Sequence, residues 1–161
     1  MIAVLDASPL CYLLLIGEID LLPQLFSRVV VPQAVIVELL HDDAPATVRN
    51  WASNLPIWIS VEETPDTFSE GMEKLQAGER AAILLAEFVH ADIIIIDEKA
   101  ARLIARRRGL SVTGILGVIG EAATRGLVDL TRAIDRLRRT SFRCSPALFK
   151  ATLERYGGQS K

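Results

Sequence analysis

Five short apolar runs, each leading into or out of a helical pattern, constrain this chain more than anything else in it. They are "IAVL" (residues 2–5), "RVVVP" (28–32), "IWISV" (57–61), "IIII" (93–96) and "LSVT" (110–113). The runs are nearly continuous rather than alternating, so both faces of each strand expect apolar cover. Strands of this kind, separated by helices, build a parallel sheet with helices packed on its two faces. The expected fold is therefore α/β, a single-domain α/β/α sandwich around a mainly parallel sheet over residues 1–161.

The helices are set by their end signals. Ser8 reads as the N-cap of a first helix, with Pro9 its first helical residue and Gly17 its end. "DLLPQLF", "PQAVIVELLH", "APATVRNWASN" and "AGERAAILLAEFVH" follow as helices, and residues 64–76 read as a weak helix or a loop. Gly109 and Gly126 close the helices that begin near Glu98 and Gly114. Two last helices, near 131–140 and 146–155, are expected to pack on the domain.

Several function classes fall away on inspection. No apolar stretch approaches the roughly 20 residues of a membrane span. The start "MIAVLDAS" lacks a basic leader and carries an early Asp, so the cytoplasm is the expected compartment. Cys11 and Cys144 stand far apart without CxxC spacing and read as small buried hydrophobes, not as a disulfide framework or a zinc site. "GILGVIG" is not a GxGxxG phosphate loop, and its glycines read as helix packing. His41 and His90 lack ligand spacing, and no Ser sits in a nucleophile elbow.

Charge is divided unevenly. Residues 1–97 hold 15 acidic and 4 basic residues, net −11, and residues 98–161 hold 5 acidic and 14 basic, net +9. Such a split points to a nucleic-acid or other charged partner on the second half; the plainer reading is solvated helix surface.

The acids themselves fall in a pattern. Ligand sites in open parallel sheets form at the carboxyl ends of the strands. Asp6 follows the first strand, Asp97 follows "IIII", Glu38 lies two turns into the helix after "VVVP", and Glu79 opens the helix before "IIII". Asp6 and Asp97 could instead cap helices, and Glu79 could simply favour a helix N-terminus. Glu38 is harder to dismiss, because "VIVELL" surrounds it with apolar residues and an unpaired buried charge costs several kcal/mol. Four carboxylates at one edge repel one another unless a cation compensates, and Mg2+ or Mn2+ suits such oxygen donors.

The segments "VLDASPLCYLLLIGEIDLL", "VVVPQAVIVELL", "AGERAAILLAEFVHADIIIIDEKAARLIARRRGLSVTGILGVI" and "LRRTSFRCSPALFKATL" together resemble the PIN-domain superfamily, in its prokaryotic, VapC-related toxin-like branch. The resemblance implies an α/β/α sandwich and a metal-dependent ribonuclease using Mg2+ or Mn2+. It places catalytic and metal-ligating roles on Asp6, Glu38, Glu79 and Asp97, with Ser8 orienting Asp6 and Glu98 as an outer-shell acid. Two departures from the family pattern stand out: Glu79 where an Asp is common, and Ile95 where a Thr or Ser is frequent. The resemblance further implies an RNA substrate, a cognate antitoxin and a homodimer; a non-catalytic RNA- or protein-binding module is the alternative. Lys99, Arg102 and Arg106, on one helical face by spacing, are the expected RNA-binding residues, with Leu103 and Ile104 turned to the core. Arg132, Arg136, Arg138, Arg139 and Arg143 form a second basic cluster.

Overall fold

The computed structural model describes residues 1–65 and 70–157. The elements in chain order are β1 (Ile2–Leu5), α1 (Ala7–Leu15), α2 (Leu21–Leu25), β2 (Arg28–Pro32), α3 (Gln33–Leu39), α4 (Ala46–Ser53) and β3 (Ile59–Glu62). They continue with α5 (Ala77–Phe88), β4 (Ile93–Ile95), α6 (Lys99–Arg107), β5 (Val112–Thr113), α7 (Ile115–Thr124), α8 (Leu130–Arg138) and α9 (Pro146–Gly157). The five strands form one sheet in the order β3-β2-β1-β4-β5, and every pairing is parallel.

The apolar runs behave as their composition requires. Alternate residues of each central strand enter two separate cores. Ala3, Leu5, Val29, Val31 and Ile95 join the larger core, which α1 to α4 and α7 to α9 cover. Val4, Val30, Ile94 and Ile96 join the smaller one under α5 and α6. A strand buried on both faces leaves no solvent side to alternate with, hence the unbroken runs. The outer strand β3 is only half-buried along its length.

The chain lays down β1, β2 and β3 to one side and then crosses to place β4 and β5 on the other. The reversal falls between β1 and β4, whose ends are tied by an Asp6 N–H donated to the Ile95 carbonyl at 3.1 Å. At such a switch point the connections leave in opposite directions and open a crevice above the strand ends. Asp6 and Asp97 flank this one.

The C-terminal helices pack on α7. A side chain at Gly120 would lie 2.3 Å from the Tyr156 ring of α9, and one at Gly117 would lie 2.0 Å from Thr113 Oγ1. Both glycines are thus packing positions. Gly109 (φ +85) and Gly126 (φ +73) take the left-handed conformation that ends α6 and α7.

Two local expectations change. The first helix begins at Ala7, not after Ser8, and Asp6 occupies the N-cap position without a side-chain cap bond. Leu103 is 47% exposed, because α6 buries the small residues Ala101 and Ala105 together with part of Ile104. Of residues 64–76, read as a weak helix or a loop, 66–69 lie outside the described residues; the others form loop and turns, with Met72 and Leu75 buried in the smaller core with α5. Among the described residues no helix is long and apolar enough to cross a membrane.

Candidate active site

An open cleft of about 1510 Å³ lies above the carboxyl ends of the strands. Asp6, Glu38, Glu79 and Asp97 all line it, as do Ser8, Glu98, Lys99, Arg102 and Arg106. Residues drawn from four connections of the chain thus share one surface. The acids form the floor and α6 one wall. The loop 141–145 with α9 contributes Phe142, Arg143, Cys144 and Arg155 to the cleft as well.

Each acid is held differently. Asp6 is 5% exposed at the end of β1. Burial pushes its carboxyl up to about 7; the Ala7 N–H opposes this, and the charges of Glu38, Glu79 and Asp97 add to it. A charge acts this way only on near neighbours, so Asp6 registers the convergence of the other three.

Asp97 does not cap α6. Its Oδ1 accepts the Ile115 N–H at 3.0 Å, at the first turn of α7. Its Oδ2 is buried and has no hydrogen-bond partner among the described residues. Burial raises the Asp97 carboxyl, while the Ile115 amide and the nearby Arg102 guanidinium oppose the rise. The cap of α6 is Glu98, whose Oε2 accepts the Ala101 N–H at 2.9 Å. That bond gives Glu98 a structural task beside the floor.

Glu79 is 8% exposed, and its Oε1 accepts the Gln76 N–H at 2.9 Å. This is the returning arm of a capping box at the start of α5, and it leaves Oε2 uncommitted. Glu38 is only half-buried, and Val37 (59% exposed) and Leu40 (42%) beside it face out. The apolar surround read from "VIVELL" is therefore one-sided. Burial still raises Glu38, opposed by the Gly78 amide and reinforced by the Glu79 charge.

Two glycines, neither singled out in the sequence as part of the site, seat two of these acids. A Cβ on Gly78 would stand 2.1 Å from Glu38 Oε1, and one on Gly114 would stand 2.4 Å from Asp97 Oδ1. Only a residue without a side chain lets a carboxylate come so close to a helix N-terminus, where amides and the helix dipole favour negative charge. The legible signal was a glycine at the opening of a helix, in "AGER" and "TGIL".

Other sequence expectations fare unevenly. The Ser8 hydroxyl lines the cleft but makes no hydrogen bond to Asp6 among the described residues. Cys11 and Cys144 are half-buried: each packs against the larger core and also lines the cleft. The second basic cluster is dispersed. Arg136 bonds the Ile16 carbonyl and Glu18, Arg138 lies 4.7 Å from the Phe149 ring centre, and only Arg143 reaches the cleft.

The donor set suits a divalent cation in its chemistry, although it is spread out. Among the described residues no three His, Cys, Asp or Glu side chains close into a ready metal cage. Like charges favour such spacing. The donors are oxygens alone, they repel one another at Asp6, and one oxygen of Asp97 is orphaned.

Residues 2–158 match the family model described as the PIN domain. The chain belongs to the PIN-domain family. No curated protein matches it. Among solved structures it is similar to a PilT N-terminus domain protein from the hyperthermophilic archaeon Sulfolobus solfataricus P2. That match has a TM-score of 0.53 at 13% identity and covers 89% of this chain and 100% of the other. At that identity the likeness is one of fold. It agrees with the five-stranded parallel α/β/α sandwich seen here. In this PIN domain the floor of the cleft is built from the ends of β1 and β4, the last turn of α3 and the first turn of α5.

Proposed function

We propose that this PIN domain is a metal-dependent endoribonuclease, using Mg2+ or Mn2+ to hydrolyse phosphodiester bonds of RNA, and that it is the toxin of a toxin–antitoxin pair. The observation that carries the reading is the buried, unpartnered Asp97 Oδ2 in a cleft shared with Asp6, Glu38 and Glu79. Bare carboxylates gathered at a switch point are costly for a fold and useful to a cation.

Asp6 and Asp97 would hold the cation directly, and Glu38 and Glu79 would do so through water or by positioning the nucleophile. When bound, the ion polarises the phosphate and makes water a better nucleophile at neutral pH. The chain's own groups do the rest. The half-buried Glu38 takes the proton of the attacking water, its raised pKa suiting the role. The water oxygen bonds phosphorus, the bond to the leaving ribose oxygen breaks, that oxygen takes a proton from bulk water, and Glu38 returns its proton to solvent. Lys99, Arg102 and Arg106 bind backbone phosphates along α6. A cognate antitoxin occupying the acidic cleft, and a homodimer, belong to the same reading.

The test is to incubate the purified chain with a panel of RNAs, with Mn2+ or with chelator, and to map the cuts. Cleavage is expected with Mn2+ only, and Asp97→Asn should abolish it. RNA bound but uncut under every condition would favour the non-catalytic module instead.

A further inference from the structure

Four arginines line the cleft: Arg102, Arg106, Arg143 and Arg155. Three of them are exposed, and Arg102 alone is half-buried. Its position is fixed from two sides. It sits one turn into α6, its own amide bonded to the Glu98 carbonyl at 2.9 Å. Its guanidinium also packs over Gly114, where a Cβ would stand 3.1 Å from Nη1 and 2.4 Å from Asp97 Oδ1. The one glycine thus accommodates a cation and an acid of the floor side by side.

Simple neutralisation of Asp97 does not explain this placement. Arg102 and Asp97 form no ion pair within 4.0 Å, and the Arg102 guanidinium makes no hydrogen bond among the described residues. Asp97 spends Oδ1 on the Ile115 amide and leaves Oδ2 bare. The five donors of a guanidinium therefore remain free at the edge of a site built for a cation. A permanent positive charge there opposes metal binding unless an anion lies between the two.

We infer that Arg102 is a catalytic residue, its guanidinium clamping the non-bridging oxygens of the phosphodiester that is cut, whereas Lys99 and Arg106 hold flanking phosphates. This inference rests on the nuclease reading above. Attack on a phosphodiester monoanion places a second negative charge on the phosphoryl oxygens, and a planar, pre-positioned fork stabilises that charge best.

The test uses the full chain with Mn2+ and bis(p-nitrophenyl) phosphate, a diester too small to need flanking contacts. Arg102→Ala should lower kcat by roughly 100-fold, as loss of one transition-state donor does. KM should change little, and Arg102→Lys should restore part of kcat. Calorimetric Mn2+ affinity should be retained or tightened in both variants, and Arg132→Ala should match the wild type. A wild-type kcat in Arg102→Ala, or loss of Mn2+ binding with it, overturns the assignment. If the wild type cleaves neither the diester nor any RNA with Mn2+, the nuclease reading itself has failed, and the inference goes with it.

Discussion

Helices α6 and α8 are counterparts in sequence and opposites in use. Each is nine residues long and ends in arginines. Each follows an acidic residue whose carboxylate accepts a first-turn amide, Glu98 from Ala101 and Asp129 from Arg132. Yet Lys99, Arg102 and Arg106 of α6 line the cleft, whereas Arg136 and Arg138 of α8 are spent on Ile16, Glu18 and Phe149. The difference is where each helix starts. α6 leaves the carboxyl end of β4 at the switch point, and α8 follows α7 with no strand between them. A count of basic residues does not tell the two helices apart; the connection to a strand end sets α6 at the cleft.

The comparison can be broken in three places. The largest expected effect concerns the edge that α6 borders. If the acid floor is strained, stability without metal must depend on pH. Near pH 4 the unfolded Asp6 begins to ionise, while the folded one stays protonated until about 7. Folding thus retains a proton that the unfolded chain releases, and stability falls as pH rises through that window. The displacement corresponds to about 4 kcal/mol at most. Denaturation with chelator from pH 4 to 8 should show the fall, and Asp6→Asn should shrink it, leaving the smaller part due to Asp97 and Glu38. A flat wild-type profile would mean that the edge is not strained.

The next effect separates the two helices directly. Lys99→Ala with Arg106→Ala should weaken RNA binding and flatten its log–log salt dependence by roughly 1.4, because two phosphates of a single strand are no longer neutralised. Arg132→Ala with Arg139→Ala should leave the slope unchanged. Equal slopes for the two pairs would erase the distinction between α6 and α8.

The smallest effect probes what the helices share. Glu98→Ala and Asp129→Ala each remove a cap and should each cost about 1 kcal/mol in denaturant unfolding. Neither should alter the response to Mn2+. Were Glu98→Ala alone to abolish that response, Glu98 would belong to the metal site and the parallel would fail.

Much of this architecture is legible in the chain. The three central strands announce themselves because burial on both faces leaves almost no polar residue to interrupt them. Asp6 and Asp97 stand out because an acid directly after such a run falls at the crevice. The remainder depends on contacts that no local pattern encodes. The start of α1 moves to Ala7 because Asp6, still extended and bonded through its N–H to the Ile95 carbonyl, is the last residue of the ladder and takes the N-cap position. Leu103 turns outward because small alanines, not the larger side chain, fit between α6 and its neighbours. Glu38 keeps one open side because α3 presents Val37 and Leu40 to solvent. The seats at Gly78 and Gly114 join residues 40 and 17 positions apart, respectively, to Glu38 and Asp97, so they appear only once the sheet has brought them together.

The central claim, that Asp6, Glu38, Glu79 and Asp97 form one divalent-cation site, is tested most directly by Mn2+ titration followed by thermal unfolding. A ligand that binds only the folded chain at a hundred times its Kd stabilises it by about 2.7 kcal/mol. The wild type should show a saturable rise in Tm, and Asp6→Asn with Asp97→Asn should show none while remaining folded. An equal rise in the double variant would place the cation elsewhere and contradict the account.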